Sequence, residues 1–243
     1  MAEDGADWID VGGESTRPGA AAVGADEEVR RVLPVIERIA GLRPISIDTT
    51  KAVVAARALE AGASIVNDVS AGAADPDMLR VVAEHRASVI LMHRRGTPAT
   101  MDRLARYRDV VDEVRRFLEA RIEAALAAGI DRRAIAVDPG IGFAKTARHN
   151  LEILARIDEI VALGFPVVVG VSRKRFLGRL LDLPPAERLE GTIAASLVAI
   201  GGGASVVRVH DVAPMARALR VARAIWACPE RRGALRRRPG ADA

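Results

Sequence analysis

Along this chain, a polar or charged side chain repeatedly follows a short run of β-branched and apolar residues. Glu14 follows WIDVGG, Asp48 follows PISI, Asn67 follows SIV and His93 follows SVILM. Further on, Asp138 follows IAV, Ser172 and Lys174 follow PVVVGV, and Arg208 and His210 alternate within SVVRVHD. A carboxylate accepts two hydrogen bonds side by side. Asp48 and Asp138 therefore suit an amidine-like edge, a ring N–H beside an exocyclic amine, and Asn67 adds a donor and an acceptor. The cations suit the opposite kind of ligand. Arginine presents a planar fork of donors to oxyanions, so Arg17, Arg208 and His210 together could hold a pyrophosphate. The segment GGESTRPG at 12–19 has an irregular backbone set by its glycines and proline. It either offers Thr16 and Arg17 to an anion or is a surface turn. Arg173 and Arg175, on either side of Lys174, also read as solvated loop cations, and Asp48 and Asp138 also read as helix caps.

Other chemistries are disfavoured. The four histidines form no HxH or HExxH pattern, so no metal-ligating residues are assigned. The lone Cys228 lies far from every strand end, which argues against a nucleophilic mechanism. Neither GxGxxG nor GxxxxGK[ST] follows a strand.

The elements that must position these residues are legible from periodicity. The β-branched runs are nearly continuous, as in parallel strands buried on both faces. Between them Val111, Val114, Leu118, Ile122 and Ala125 recur every three or four residues, which predicts a helix ending at Gly129. Similar helices are predicted over 26–40, 51–61, 76–85, 148–163, 186–200 and 213–227. Strand–helix alternation implies a parallel sheet. Polar residues at nearly every strand end favour a closed barrel, whose chemistry is gathered from many strands on one rim, over a doubly wound sheet with one switch point. The expected fold is an α/β TIM (β/α)8 barrel, N-terminally truncated to seven βα units, because AEDGAD before the first strand reads as the end of a helix. One domain is expected over 1–228 and a basic, disordered tail over 229–243.

Composition sets outer bounds. Half of the 243 residues are hydrophobic and 28% are charged, which excludes a disordered chain. Aromatics at 3% disfavour base stacking, so no nucleic-acid partner is expected. Most of the formal net charge of +4 comes from the five arginines after residue 229. A single cysteine, no long apolar run and an acidic N-terminus predict a cytoplasmic protein with no membrane partner.

Taken together, IDVGGESTRPGA, SIDTTK, IVNDVS, LMH, DPGIGFAKT with HN following, GVSRKRFLG and VRVHDV resemble the dihydropteroate synthase family, in order and from about Gly5 to Trp226. The resemblance implies a barrel that condenses dihydropterin pyrophosphate with p-aminobenzoate, releasing pyrophosphate and dihydropteroate. It implies that Asp48, Asn67, Asp138 and Lys174 bind the pterin, that Met92 packs on its ring, and that Arg208 lies against it. Arg17, Arg208 and His210 would hold the pyrophosphate and, with Lys174, form the catalytic set. Thr16, Arg17 and Pro18 would belong to a mobile loop closing over p-aminobenzoate, with Phe143 lining that second site. A homodimer and Mg²⁺ are also implied. The family's first strand, ending in NVTPDSFSDGG with the Asn that coordinates Mg²⁺, has no counterpart here. The alternative expectation is therefore a truncated, non-catalytic pterin-binding paralogue or dimer partner, and the chain alone is expected to aggregate and to lack activity. A pterin-dependent methyltransferase of the same superfamily is disfavoured by SRK and RVHD, which suit a pyrophosphate-bearing substrate.

Overall fold

The structure, a computed structural model, describes residues 1–17 and 19–228. Pro18 and the basic tail lie outside the described residues, so neither expectation about them is addressed. Seven strands occur among the described residues: β1 (Ile9–Gly12), β2 (Ile45–Asp48), β3 (Ile65–Asp68), β4 (Ser88–Met92), β5 (Ile135–Asp138), β6 (Val168–Val169) and β7 (Val206–Val207). The helices between them are α1 (Ala25–Ile39), α2 (Ala52–Glu60), α3 (Met78–Glu84), α4 (Val110–Ala127), α5 (Ala147–Ala155), α6 (Ile157–Val161), α7 (Arg175–Leu181), α8 (Leu189–Gly201) and α9 (Val212–Trp226).

β1 to β5 pair in chain order, all parallel. A bridge from Val137 to Val167 carries the order to β6, which pairs with β7. A doubly wound sheet reverses its strand order at a switch point. This order never reverses, so the polar strand ends share one rim. The register makes that concrete: Gly12 is level with Asp48, Asp48 with Asn67, and Met92 with Asp138.

The core supports that rim. Val111, Val114, Leu118, Ile122 and Ala125 are all buried on α4, as their spacing predicts. Fully burying a Val, Leu or Ile contributes about 1.5–3 kcal/mol. Asp109 starts the helix by accepting from the Val111 and Asp112 N–H groups.

Several boundaries depart from the sequence reading. The helix expected over 148–163 breaks at Arg156, whose guanidinium pairs with Asp109, Glu152 and Glu159. α7 has no counterpart among the expected helices; it begins at Arg175, itself one of the strand-end cations. The helix expected from 186 starts at Leu189, after a 3-10 turn at Pro185–Glu187. The strand expected over 205–211 is only two residues long, so Arg208 and His210 lie beyond it. Residues 1–5 form a hydrogen-bonded turn, with Asp4 N–H donating to the Met1 carbonyl. β1 and β7 do not pair with each other among the described residues. A cavity of about 300 Å³ opens between them, bordered by Trp8, Ile9, Val207, Val209 and Met215.

Candidate active site

One wall of the mouth is acidic. Asp48 ends β2 and is 8% exposed, and Asn67, the last but one residue of β3, lies level with it. Asp10, two residues earlier on β1, joins them: the Asn67 side-chain amide donates to Asp10 Oδ1 at 3.5 Å. Arg208 closes the group. Its Nε donates to Asp10 Oδ2 at 2.5 Å and its Nη2 to Asp48 Oδ2 at 3.0 Å. The other Asp48 oxygen, Oδ1, is buried without a partner among the described residues. Burial, and next the charge of Asp10, push the Asp48 carboxyl up to about 7 against the opposing pull of Arg208. Asp48 is therefore a buried acceptor in search of a donor. It does not cap α2, whose N-cap position is Lys51 and has no side-chain cap.

The second wall is built on the loop after β5. Asp138 Oδ1 accepts the Gly140 N–H at 2.7 Å, so the carboxylate orders its own loop. The Lys174 ammonium donates to the Ile141 carbonyl and stands 4.7 Å above the Phe143 ring. Gly142 allows this approach, since a Cβ there would lie 2.9 Å from the Lys174 stem. Desolvation brings Lys174 down to about 8, opposed by Asp138, and burial raises Asp138, opposed by Lys174.

The third component is His210. Its backbone N–H donates to Ser172 Oγ at 3.2 Å, and its Nδ1 lies 2.9 Å from the same oxygen. Burial pushes the imidazole pKa down, with Arg173, Arg208 and Arg17 adding to the effect. Asp10, Ser172, Lys174, Arg208 and His210 all border the same cavity. Of the three cations in the SRKR run, Lys174 borders it and the two arginines turn elsewhere. Arg173 turns to Asp211 at 2.5 and 3.0 Å, and Arg175 to Asp102 at 2.8 and 3.1 Å.

Met92 is buried at the end of β4, level with Asp138. Thr16 is half-buried and Arg17 exposed on the loop after β1. Glu14 turns away from the mouth, pairing with Lys51 at 2.5 Å and accepting the Val23 N–H at 3.0 Å. His93 is buried behind the loop after β5, held by Lys145. Asp10 and Lys145 were not singled out from sequence. The available signal was a charged residue inside an otherwise apolar or glycine-rich run.

A family model described as "Pterin binding enzyme" matches residues 1–210. A dihydropteroate synthase from Synechocystis sp. is 49% identical, covering 93% of this chain and 79% of its own length. The chain belongs to the dihydropteroate synthase family. Two solved dihydropteroate synthases from Xanthomonas albilineans carry the same fold. One, with 4-aminobenzoic acid, superposes with a TM-score of 0.89 at 48% identity, covering 94% of this chain and 82% of that one. The other, in complex with 7,8-dihydropteroate, gives 0.85 at 44% identity with the same coverage. The function this family membership gives is that of a dihydropteroate synthase, a transferase. The α/β fold with its parallel sheet is that of the dihydropteroate synthase TIM barrel.

Proposed function

We propose that this mouth binds the pterin edge on Asp48, Asn67 and Asp138 and the pyrophosphate on Arg208, His210 and Arg17. The observation that carries the reading is the unpartnered Asp48 Oδ1 beside an arginine shared with Asp10. Pterin ring N–H and amine donors would satisfy the carboxylates. Met92 would pack on the ring, and Lys174 would donate to a ring acceptor. Thr16 and Phe143 would line the p-aminobenzoate site, with Pro18 named from sequence alone.

The chemistry follows from the charges. The methylene C–O bond breaks and pyrophosphate leaves with the electron pair, stabilised by Arg208, His210 and Arg17. The electron-poor pterin is held against Asp48 and Asp138 until the arylamine nitrogen forms the new C–N bond and releases a proton. The Mg²⁺ implied by the resemblance would take its Asn ligand from the family's first strand, which has no counterpart in this sequence. Among the described residues no group of three His, Cys, Asp or Glu is placed to hold a metal, and Asp10 and Asp48 are already matched to Arg208. No step is routed through it.

The seven βα units are read as seven of the eight in such a barrel, with the opening between β1 and β7. A homodimer is inferred, with exposed Val198 on α8 and Val221 and Ile225 on α9 as apolar surface for a second copy; sedimentation at twice the chain mass would support it. No helix among the described residues is long and apolar enough to cross a membrane; a cytoplasmic location is read from the lone cysteine.

The direct test supplies dihydropterin pyrophosphate and p-aminobenzoate and follows dihydropteroate and pyrophosphate. Equal release of both supports the reading. Pterin binding without product would favour the non-catalytic alternative, and no pterin binding would overturn the site.

A further inference from the structure

Among the described residues the mouth leaves one buried amine without an assigned task, Lys145, whose pKa burial pushes well below the usual lysine range. Lys145 is 4% exposed, and lysine is almost never buried unless paired. It makes no ion pair among the described residues. Its Nζ instead lies 2.8 Å from His93 Nδ1 and donates to the Phe143 carbonyl at 3.0 Å. His93 is neutral, brought down to about 2 by burial and then by the charges of Lys145 and Arg95, so its ring can accept. Lys145 thus ties the end of β4 to the loop after β5.

That loop is the one that presents Asp138 and the Ile141 carbonyl. It lies directly on His93: a Cβ at Gly140 would overlap the His93 carbonyl oxygen. Three other ties hold it, one of them the Lys174 ammonium donating to the Ile141 carbonyl. The Gly140 N–H binds Asp138 Oδ1, and the Gly142 N–H donates to the buried Asn150 side chain at 2.7 Å. Among the described residues Lys145 is its side-chain anchor on the β4 side, as Lys174 is on the β6 side.

We propose that Lys145 is a positioning residue for pterin recognition, acting through the loop after β5 to hold Asp138 in its binding geometry. This rests on the reading of Asp138 as a pterin ligand. Without the amine, His93 Nδ1 and the Phe143 carbonyl lose a shared donor and the loop can shift. A displacement of about 1 Å can cost about 100-fold in a positioned site.

The test measures 6-hydroxymethylpterin binding to the full chain by calorimetry, with melting temperature as a control for folding. Lys145→Met is expected to weaken binding about tenfold or more. In an Asp138→Asn background the same change should add less than about twofold, since both act on one contact. His93→Asn, which keeps an acceptor for the amine, should bind like the parent, and His93→Leu should reproduce the loss. The histidine pair decides the matter if Lys145→Met fails to fold. A folded Lys145→Met or His93→Leu variant with unchanged affinity, or fully additive losses with Asp138→Asn, overturns the proposal alone. A parent chain that does not bind the pterin overturns the site reading and this proposal with it.

Discussion

Arg208 and Asp10 lie 198 positions apart in the chain and 2.5 Å apart in space. Their ion pair joins the last strand to the first across the opening between β1 and β7. Arg208 is 49% exposed, so screening leaves the pair little value as a source of stability. Its consequence is geometric: one guanidinium fork is fixed between Asp10 and Asp48, at the boundary between the acidic wall and the cations.

Asp48 gives the site a pH dependence with a definite sign. Its carboxyl is raised from 3.8 to about 7 in the folded protein. The folded state therefore binds more protons than the unfolded chain between these values, and Asp48's contribution to stability is fully present below 3.8 and lost as pH rises through about 7. Urea unfolding midpoints from pH 5 to 8 should fall less steeply for Asp48→Asn than for the parent. Pterin donors favour the carboxylate, so binding near neutral pH should release a proton. Calorimetry in two buffers of different ionisation heat should show this release in the parent and its loss in Asp48→Asn.

Asp138→Ala should weaken pterin binding by roughly 1.5–3 kcal/mol, the cost of losing a charged hydrogen-bond partner. The effect on p-aminobenzoate should be smaller, because only the pterin offers an amidine edge. Titration of each ligand into the variant checks both; an unchanged pterin affinity would remove Asp138 from the site.

Arg208→Lys keeps the charge and loses the fork. A single ammonium cannot reproduce the two parallel contacts to Asp10 and Asp48. The expected result is a fall in kcat/KM of about tenfold or more, corresponding to about 1.4 kcal/mol of transition-state stabilisation. Steady-state kinetics at two salt concentrations would check it, since retained activity would show that charge alone suffices.

Gly140→Ala should be poorly tolerated. Its φ is +69° and the added Cβ would meet the backbone of His93, which cannot rotate away. Strained backbone of this kind costs about 1–3 kcal/mol per residue before the clash is counted. A lowered melting temperature together with weakened pterin binding is expected, because the same loop carries Asp138. Unchanged values in both would contradict the packing described.

The alternation of strands and helices, the buried stripe of α4 and the placement of Asp48, Asn67 and Asp138 at or next to strand ends were legible in the residue pattern alone. These are local properties: a buried face repeats at the period of its element, and a polar residue that ends an apolar run marks where the strand leaves the core. Only the tertiary structure decided that Arg173 and Arg175 turn to Asp211 and Asp102 while Lys174 enters the mouth. It also brought Lys145 onto His93, 52 residues away, and Arg208 onto Asp10. Adjacent cations have the same local pattern whichever way they point. Their partners come within reach only when the strands take their places around one rim and bring segments distant in the chain together.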